Sequence, residues 1–406
     1  MAVGSEKLTL ISKSDELAVI AEKLRQAGWF ALDLEFASEG RYVPDLCVVQ
    51  VAWPGPDAGE ALIDAMVVDI TPILEVIGDQ KTQVVTHAGR QDLALLGDRF
   101  SVSVGRFWDT QVAAAFVGIG EQVGYGTLVE ALLGTKVDKG PQFTDWTQRP
   151  LSRRQLSYAA ADVIHLRELW PMLRDRLSER CRLEWVREAS AALAQEVSSR
   201  VPPDEKYRSV SGGGSLRKRS LGALVELAAW RETEALASNK PPSWILPDSA
   251  LVELCRKLAR NEAALRKVRG VGGGTVRQYG TEILAAIERG ANNEPPAVVH
   301  RNRENERRVQ PLAALIFVLI GVRCATETLA VKWVGSKADC EELVKWQLEG
   351  GSIEVNEDEL PRMMRGWRRE FIGDEALRLL AGEVSVHLAN GGIVFNDREP
   401  NGILPG

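Results

Sequence analysis

The sequence predicts an α/β domain built on a mixed sheet flanked by helices, followed by two small all-α domains. Three observations carry that reading. Short apolar runs separated by turn residues fill positions 30–64. Strand-like and helix-like periods then alternate to about residue 200, and from 216 onward the spacing is helical up to a final alternating stretch. Two breaks rich in proline, glycine or polar residues divide the chain. The divisions are a first domain over 1–200, a linker over 201–215, a helical domain over 216–291, a linker over 292–309, a second helical domain over 310–382, and a tail over 383–406.

Ser14-Asp15-Glu16 opens a helix whose apolar positions Leu17, Ile20, Ala21 and Leu24 share a face, with Ser14 as N-cap and Gly28 as its end. A strand over 30–36 follows. Its alternation sets Phe30, Leu32, Leu34 and Phe36 on one face and Ala31, Asp33 and Glu35 on the other. Strands over 46–53 and 60–64, turned by Pro54-Gly55-Pro56, complete an antiparallel meander, with a short helix over 67–77 beneath. A fourth strand, 83–88, breaks at Gly89 into a helix holding Asp92, Leu93, Leu95 and Leu96. Trp108-Asp109-Thr110-Gln111 leads into an alanine-rich helix, and 126–133 is a short helix. Ser152 caps a long helix with Leu156, Ala159, Ala160, Val163, Leu166 and Leu169 on its apolar face, and a further helix runs to about Arg200. Ser211-Gly212-Gly213-Gly214-Ser215 reads as a flexible linker. Trp230 and Trp244 read as core aromatics. Residues 312–322, flanked by Arg308 and Arg323 and shorter than a bilayer span, read as a buried helix. Residues 384–395, with Asn390-Gly391-Gly392 at their centre, read as a hairpin.

At 406 residues the chain exceeds one ordinary core. A hydrophobic content of 45% with 26% charged residues is ordinary for a soluble globular protein. Residues 1–7 have neither the basic start nor the apolar core of a signal peptide. Five scattered cysteines without CxxC spacing point to reduced thiols, a cytoplasmic setting, and neither a zinc site nor a disulfide framework. Residues 1–200 carry 21 Lys and Arg against 28 Asp and Glu, a net −7; residues 201–300 carry 15 against 11, a net +4. An acidic first part joined to a basic middle suits a metal site coupled to something that holds a polyanion.

Asp33 and Glu35 sit side by side on an apolar strand, where burial and mutual repulsion both raise their pKa values. A divalent cation removes both penalties, and Mg²⁺ prefers oxygen ligands; a strand with one wet polar face is the plain alternative. Asp92 lies one turn past the fourth strand, where α/β folds often place functional groups, although a surface helix residue reads the same way. Tyr158 and Asp162, four apart on a helix, share one face, and Ala159-Ala160-Ala161 between them lets that face approach other backbone closely.

Together these residues resemble the three motifs of the DEDD exonuclease superfamily in its tyrosine-bearing branch. His87-Ala88-Gly89-Arg90-Gln91-Asp92-Leu93, Asp109-Thr110-Gln111, and Asp145-Trp146 through Arg149-Pro150-Leu151 to Tyr158-Ala159-Ala160-Ala161-Asp162 are similar to the ribonuclease D family. The stretch 216–289 resembles the helicase-and-RNase-D C-terminal (HRDC) domain, and Gly366-Trp367-Arg368-Arg369-Glu370 the last helical region of the same family. Only the tail from about Gly382 departs from the pattern.

The resemblance implies a ribonuclease H-like sheet and a 3′→5′ exoribonuclease that releases nucleoside 5′-monophosphates from single-stranded ends of RNA, tRNA precursors and other structured RNAs being the substrate class. It implies two divalent ions, Mg²⁺ or Mn²⁺, about 3.5–4 Å apart. Asp33 would bridge them, Glu35 and Asp162 would complete one shell, and Asp92 would serve the other through water. Tyr158 would orient the attacking water, because a phenol titrating near pH 10 is a poor base at neutral pH. His87, Gln50 and Phe36 are candidates for the terminal nucleotide, each with a structural reading beside it. Lys139, Arg149, Arg153 and Arg154 are candidates for phosphate, with a solvated surface as the equal alternative. Asp109 would support helix packing or the metal ligands. The partner expected is RNA, with no membrane and no obligate protein. The rival readings are the same chemistry on DNA, a catalytically silent RNA-binding scaffold, and a helicase accessory; the chain itself has no Gly-Lys-Ser/Thr phosphate loop.

Overall fold

The structure, a computed structural model, describes residues 10–137, 140, 144–198, 201–294, 303–389 and 391–398. Lys139 lies outside the described residues. The first part is a six-stranded mixed sheet in the order β1-β4-β3-β2-β5-β6. Its strands are β1 (Leu10–Ile11), β2 (Trp29–Ala37), β3 (Asp45–Trp53), β4 (Gly59–Asp64), β5 (Gln83–Thr86) and β6 (Arg106–Asp109). The meander β2–β3–β4 is antiparallel, while β1, β5 and β6 join as parallel strands. β1 and β6 were not expected: two and four residues are too short to show a period of two.

The two faces of β2 go to different layers. Phe30, Leu32 and Leu34 are buried in a core with Leu17, Ile20 and Leu24 of α1 (Ser14–Ala27) and Ile73, Val76 and Ile77 of α2 (Thr71–Gly78). α1 begins at Ser14 itself, after Lys13 and without a side-chain cap, so Ser14 is not the N-cap the sequence suggested. Next come α3 (Arg90–Phe100), α4 (Thr110–Phe116), α5 (Tyr125–Leu133), α6 (Arg153–Glu179) and α7 (Leu183–Ser198). α6 covers the opposite face of the sheet, where Val163 and Leu166 pack on Ala31 and Ala52. Ser152 and Gln155 form a reciprocal capping box that fixes where α6 starts.

A second unit comprises α8 (Lys218–Ala237), α9 (Pro242–Ile245), α10 (Asp248–Lys257), α11 (Glu262–Leu265) and α12 (Gly273–Asn292) around a core of its own. The chain leading into it is not a free tether. Pro203–Ser209 and Gly213–Ser215 form short 3-10 turns, Val210 is buried, and Lys206 pairs with Glu232 of α8 at 2.5 Å. Trp244 is 66% exposed, which corrects its reading as a core aromatic; Trp230 packs on Tyr279.

α13 (Arg303–Glu327) begins inside the stretch read as a second linker. It is long and apolar enough to cross a membrane by length and composition. One face, with Val309, Ile316, Leu319 and Ile320, is buried, while Val318 opposite is exposed. α14 (Val331–Val334), α15 (Lys337–Leu348) and a helix over 366–380 containing a π turn complete this last unit. It shares one continuous core with α4, α6 and α7 of the first part. The tail forms the hairpin β7 (Val384–Ala389) and β8 (Gly392–Asp397); the expected turn residue Asn390 lies outside the described residues.

Candidate active site

A cleft of about 500 Å³ opens above β2 and is lined by Asp33, Glu35, Asp92, Tyr158 and Asp162 together. The period of the strand places Asp33 and Glu35 on one face, and α6 crosses that face at Tyr158 and Asp162. Buried Ala159 and Ala160 allow this close approach to the sheet. Carboxylate oxygens of Asp33, Glu35 and Asp162 lie within 4.8 Å of one another. Asp92 stands outside that trio on the first turn of α3 but lines the same cleft, 8% exposed.

Crowding these acids away from water holds their protons. Burial pushes the Asp33 carboxyl up to about 7. Burial, then the charges of Asp33, Asp162 and Asp92, push Glu35 to about 9. Burial and Asp33 push Asp162 to about 8, against a hydrogen bond from Tyr158 that favours its charged form. Asp92 is raised by burial, Asp33 and Asp109. Such a set is a poor resting place for three or four negative charges and a good one for a hard cation. Asp162, a member of that acidic trio, keeps its Oδ1 buried without a hydrogen-bond partner. The donor set therefore fits divalent metal. The Tyr158 phenol is held above its usual range, first by burial and then by Asp162, Glu35 and Asp33, so it stays a proton donor at neutral pH.

His87 and Phe36 also line the cleft. His87 Nδ1 lies 3.0 Å from Thr110 Oγ1, and burial lowers the imidazole pKa, keeping the ring neutral. Gln50 does not reach the cleft. It pairs across the sheet with Asp33 and is 0% exposed, which corrects its reading as a nucleotide contact. Arg149 is corrected too, because all its N–H groups are spent inside the protein. They go to both Asp64 oxygens at 2.6 and 2.7 Å and to the carbonyls of Cys47, Trp146 and Gln148, leaving nothing for phosphate. Arg153 and Arg154 are exposed at the start of α6.

Tyr125 and the side chain of Trp146 are among the cleft residues that went unread in the sequence. The Tyr125 hydroxyl donates to the backbone carbonyl of Asp162 and its ring meets His87 edge-on at 5.5 Å. No spacing rule links Tyr125 to Asp162. Its one sequence signal is an aromatic set within Val123-Gly124-Tyr125-Gly126.

Comparison with known proteins bears on the family and the fold. A 3′-5′ exonuclease family model matches residues 8–178, and an HRDC domain model matches residues 220–287. Ribonuclease D of Granulibacter bethesdensis is 37% identical over 382 residues, 93% of this chain and 93% of that one. Ribonuclease D of Gluconacetobacter diazotrophicus is 36% identical, covering 92% and 93%. The crystal structure of Escherichia coli RNase D, an exoribonuclease involved in structured RNA processing, superposes with a TM-score of 0.80 at 26% identity, covering 93% of this chain and 99% of that one.

Proposed function

Because this chain belongs to the ribonuclease D family, we propose that it trims single-stranded 3′ ends of RNA one nucleotide at a time. The products are nucleoside 5′-monophosphates, and the substrates are tRNA precursors and other structured RNAs met in the cytoplasm. The single observation that carries this reading is the convergence of Asp33, Glu35 and Asp162 within 4.8 Å in a cleft that also holds Asp92 and Tyr158.

Asp33, Glu35, Asp162 and Asp92 would hold two divalent ions, Mg²⁺ or Mn²⁺: Asp33 would be shared between them, Glu35 and Asp162 would complete one set of ligands, and Asp92 would serve the other. When bound, the pair supplies Lewis acidity for the attacking water and neutralises charge developing on the phosphate oxygens. Tyr158, protonated and hydrogen-bonded to Asp162, orients that water through its hydroxyl. His87 and Phe36 contact the terminal nucleotide from the cleft wall. The helical units over 216–291 and 310–382 hold the body of the RNA, and their Lys and Arg contacts make binding weaken with salt.

The test is digestion of 5′-labelled and 3′-labelled RNA and matched DNA in Mg²⁺, with and without EDTA. Single-nucleotide shortening from the 3′ end, abolished by EDTA and strongly reduced by Asp33→Asn or Asp162→Asn, is expected on RNA. Endonucleolytic fragments, unchanged activity in EDTA, or a preference for DNA would each refute a part of the reading.

A further inference from the structure

Trp244 is 66% exposed, although tryptophan is among the residues most often shielded from water. Its placement is not loose. The Trp244 N–H donates to the Pro241 carbonyl at 2.9 Å, Pro241 and Pro242 stiffen the approach, and the next residues, Ile245 and Leu246, are buried. The indole rests by its rim on Gly40 of the first domain. A Cβ added to Gly40 would stand 3.0, 3.4 and 4.0 Å from Cη2, Cζ3 and Cζ2 of that ring.

Gly40 belongs to the loop that follows β2, and Ser38 of the same loop lines the cleft with Asp33 and Glu35. Gly40 lies five positions beyond Glu35, at most about 18 Å of extended chain. The loop is clamped to the helical unit where Trp244 sits. Asn239 Oδ1 accepts from the Tyr42 and Val43 N–H groups at 3.1 and 2.8 Å, and the Tyr42 hydroxyl bonds to Glu232. The ring is therefore held at a fixed distance from the carboxylates, with most of its surface in solvent. Lys240, four residues earlier in the chain, is exposed.

We propose that Trp244 is a stacking platform for one nucleobase of the substrate strand, a few nucleotides upstream of the bond being cleaved. The proposal rests on the RNA-exonuclease reading and deepens it. A strand whose 3′ end enters the cleft over the Ser38–Gly40 loop passes this ring. Base–aromatic stacking tolerates any sequence, as a trimming enzyme requires. Trp244 is a positioning residue: it touches the strand away from the reacting phosphate.

A double-mutant cycle between the ring and the base tests it. KM and kcat are measured for the full-length wild type, Trp244→Phe and Trp244→Leu on single-stranded RNAs carrying one abasic site at each of positions two to eight from the 3′ end. On intact RNA, Trp244→Leu is expected to raise KM about tenfold, within the range of a lost base stack, and Trp244→Phe to recover most of it. At one abasic position the wild type shows the same loss and Trp244→Leu adds nothing to it. Leucine serving as well as phenylalanine, or losses that multiply at every position, overturns the proposal, the second pointing to a contact that merely holds the loop or meets a protein. A wild type inactive on intact RNA would refute the reading of function instead, so the two failures are distinct.

Discussion

The Asp109 carboxylate grips the backbone at Gly89: Oδ2 accepts from the Gly89 N–H at 3.0 Å, while Oδ1 accepts from Ala88 at 3.0 Å and Gln111 at 2.7 Å. Ala88 is held at φ 53°, a left-handed conformation that alanine rarely adopts. Gly89 has no room for a side chain, since a Cβ would stand 2.2 Å from Thr86 Oγ1. This corner launches α3 and sets Asp92 on its first turn, so Asp109 serves the site without lining the cleft. Asp109→Ala is expected to lower activity or metal affinity by about 10–100-fold, as loss of a residue supporting a metal ligand does. Asp109→Asn, which keeps one acceptor, falls between. Mg²⁺ titration of activity measures both.

The protonation of the acidic cluster makes a prediction about pH. Asp33, Asp162 and Glu35 are raised to about 7, 8 and 9 in the folded, metal-free protein, against 3.8, 3.8 and 4.5 ordinarily. The folded state therefore keeps protons that the unfolded state has already released. Its stability is highest below about pH 4 as far as these groups decide, and falls as pH rises through 7 to 9. The melting temperature of the metal-free protein should drop between pH 5.5 and 8.5, and Asp33→Asn should flatten that drop. Mg²⁺ should bind more tightly with rising pH and release protons, seen by calorimetry in buffers of different ionisation heat. A melting curve indifferent to pH in EDTA would count against the crowded site.

Arg149 joins the loop before α6 to the end of β4, and Asp64, its partner, is 3% exposed. Removing the guanidinium leaves a buried carboxylate uncompensated. Arg149→Ala should cost about 3–5 kcal/mol in denaturant unfolding, and lysine should not restore it, because one ammonium cannot replace five fixed donors. The salt dependence of RNA binding should keep its slope. A shallower slope with intact stability would return Arg149 to the phosphate contacts.

What the sequence revealed follows from which spacings carry geometry. Asp33 and Glu35 are two apart on a strand, and Tyr158 and Asp162 four apart on a helix, so each pair had to share a face. The meander was readable for the same reason. The partner of Arg149, 85 residues away, is set by packing that no local period encodes, and so is the burial of Gln50 beside Asp33 on the neighbouring strand. Trp244 misled because hydrophobicity predicts burial only on average. Strands as short as β1 and β6 are held by their neighbours in the sheet and leave almost no trace in the residues themselves.

The union of the last helical unit with the first is of that hidden kind. Trp185 of α7 and Trp367 stack at 4.7 Å with their planes 13° apart, and Phe116 meets Trp367 edge-on at 5.3 Å. Arg368 lies over the Trp367 ring at 4.5 Å and pairs with Glu188 of α7 at 3.1 Å. Trp367 is 5% exposed within a core common to both units, whereas the intervening unit keeps a core of its own. Trp367→Ala should therefore destabilise the first domain as well as the last, by about 3–5 kcal/mol. Hydrogen exchange should show α7 and the helix over 366–380 losing protection together while α8 and α12 keep theirs. Loss confined to residues after 303, with α7 as protected as before, would mean that the two units fold on separate cores.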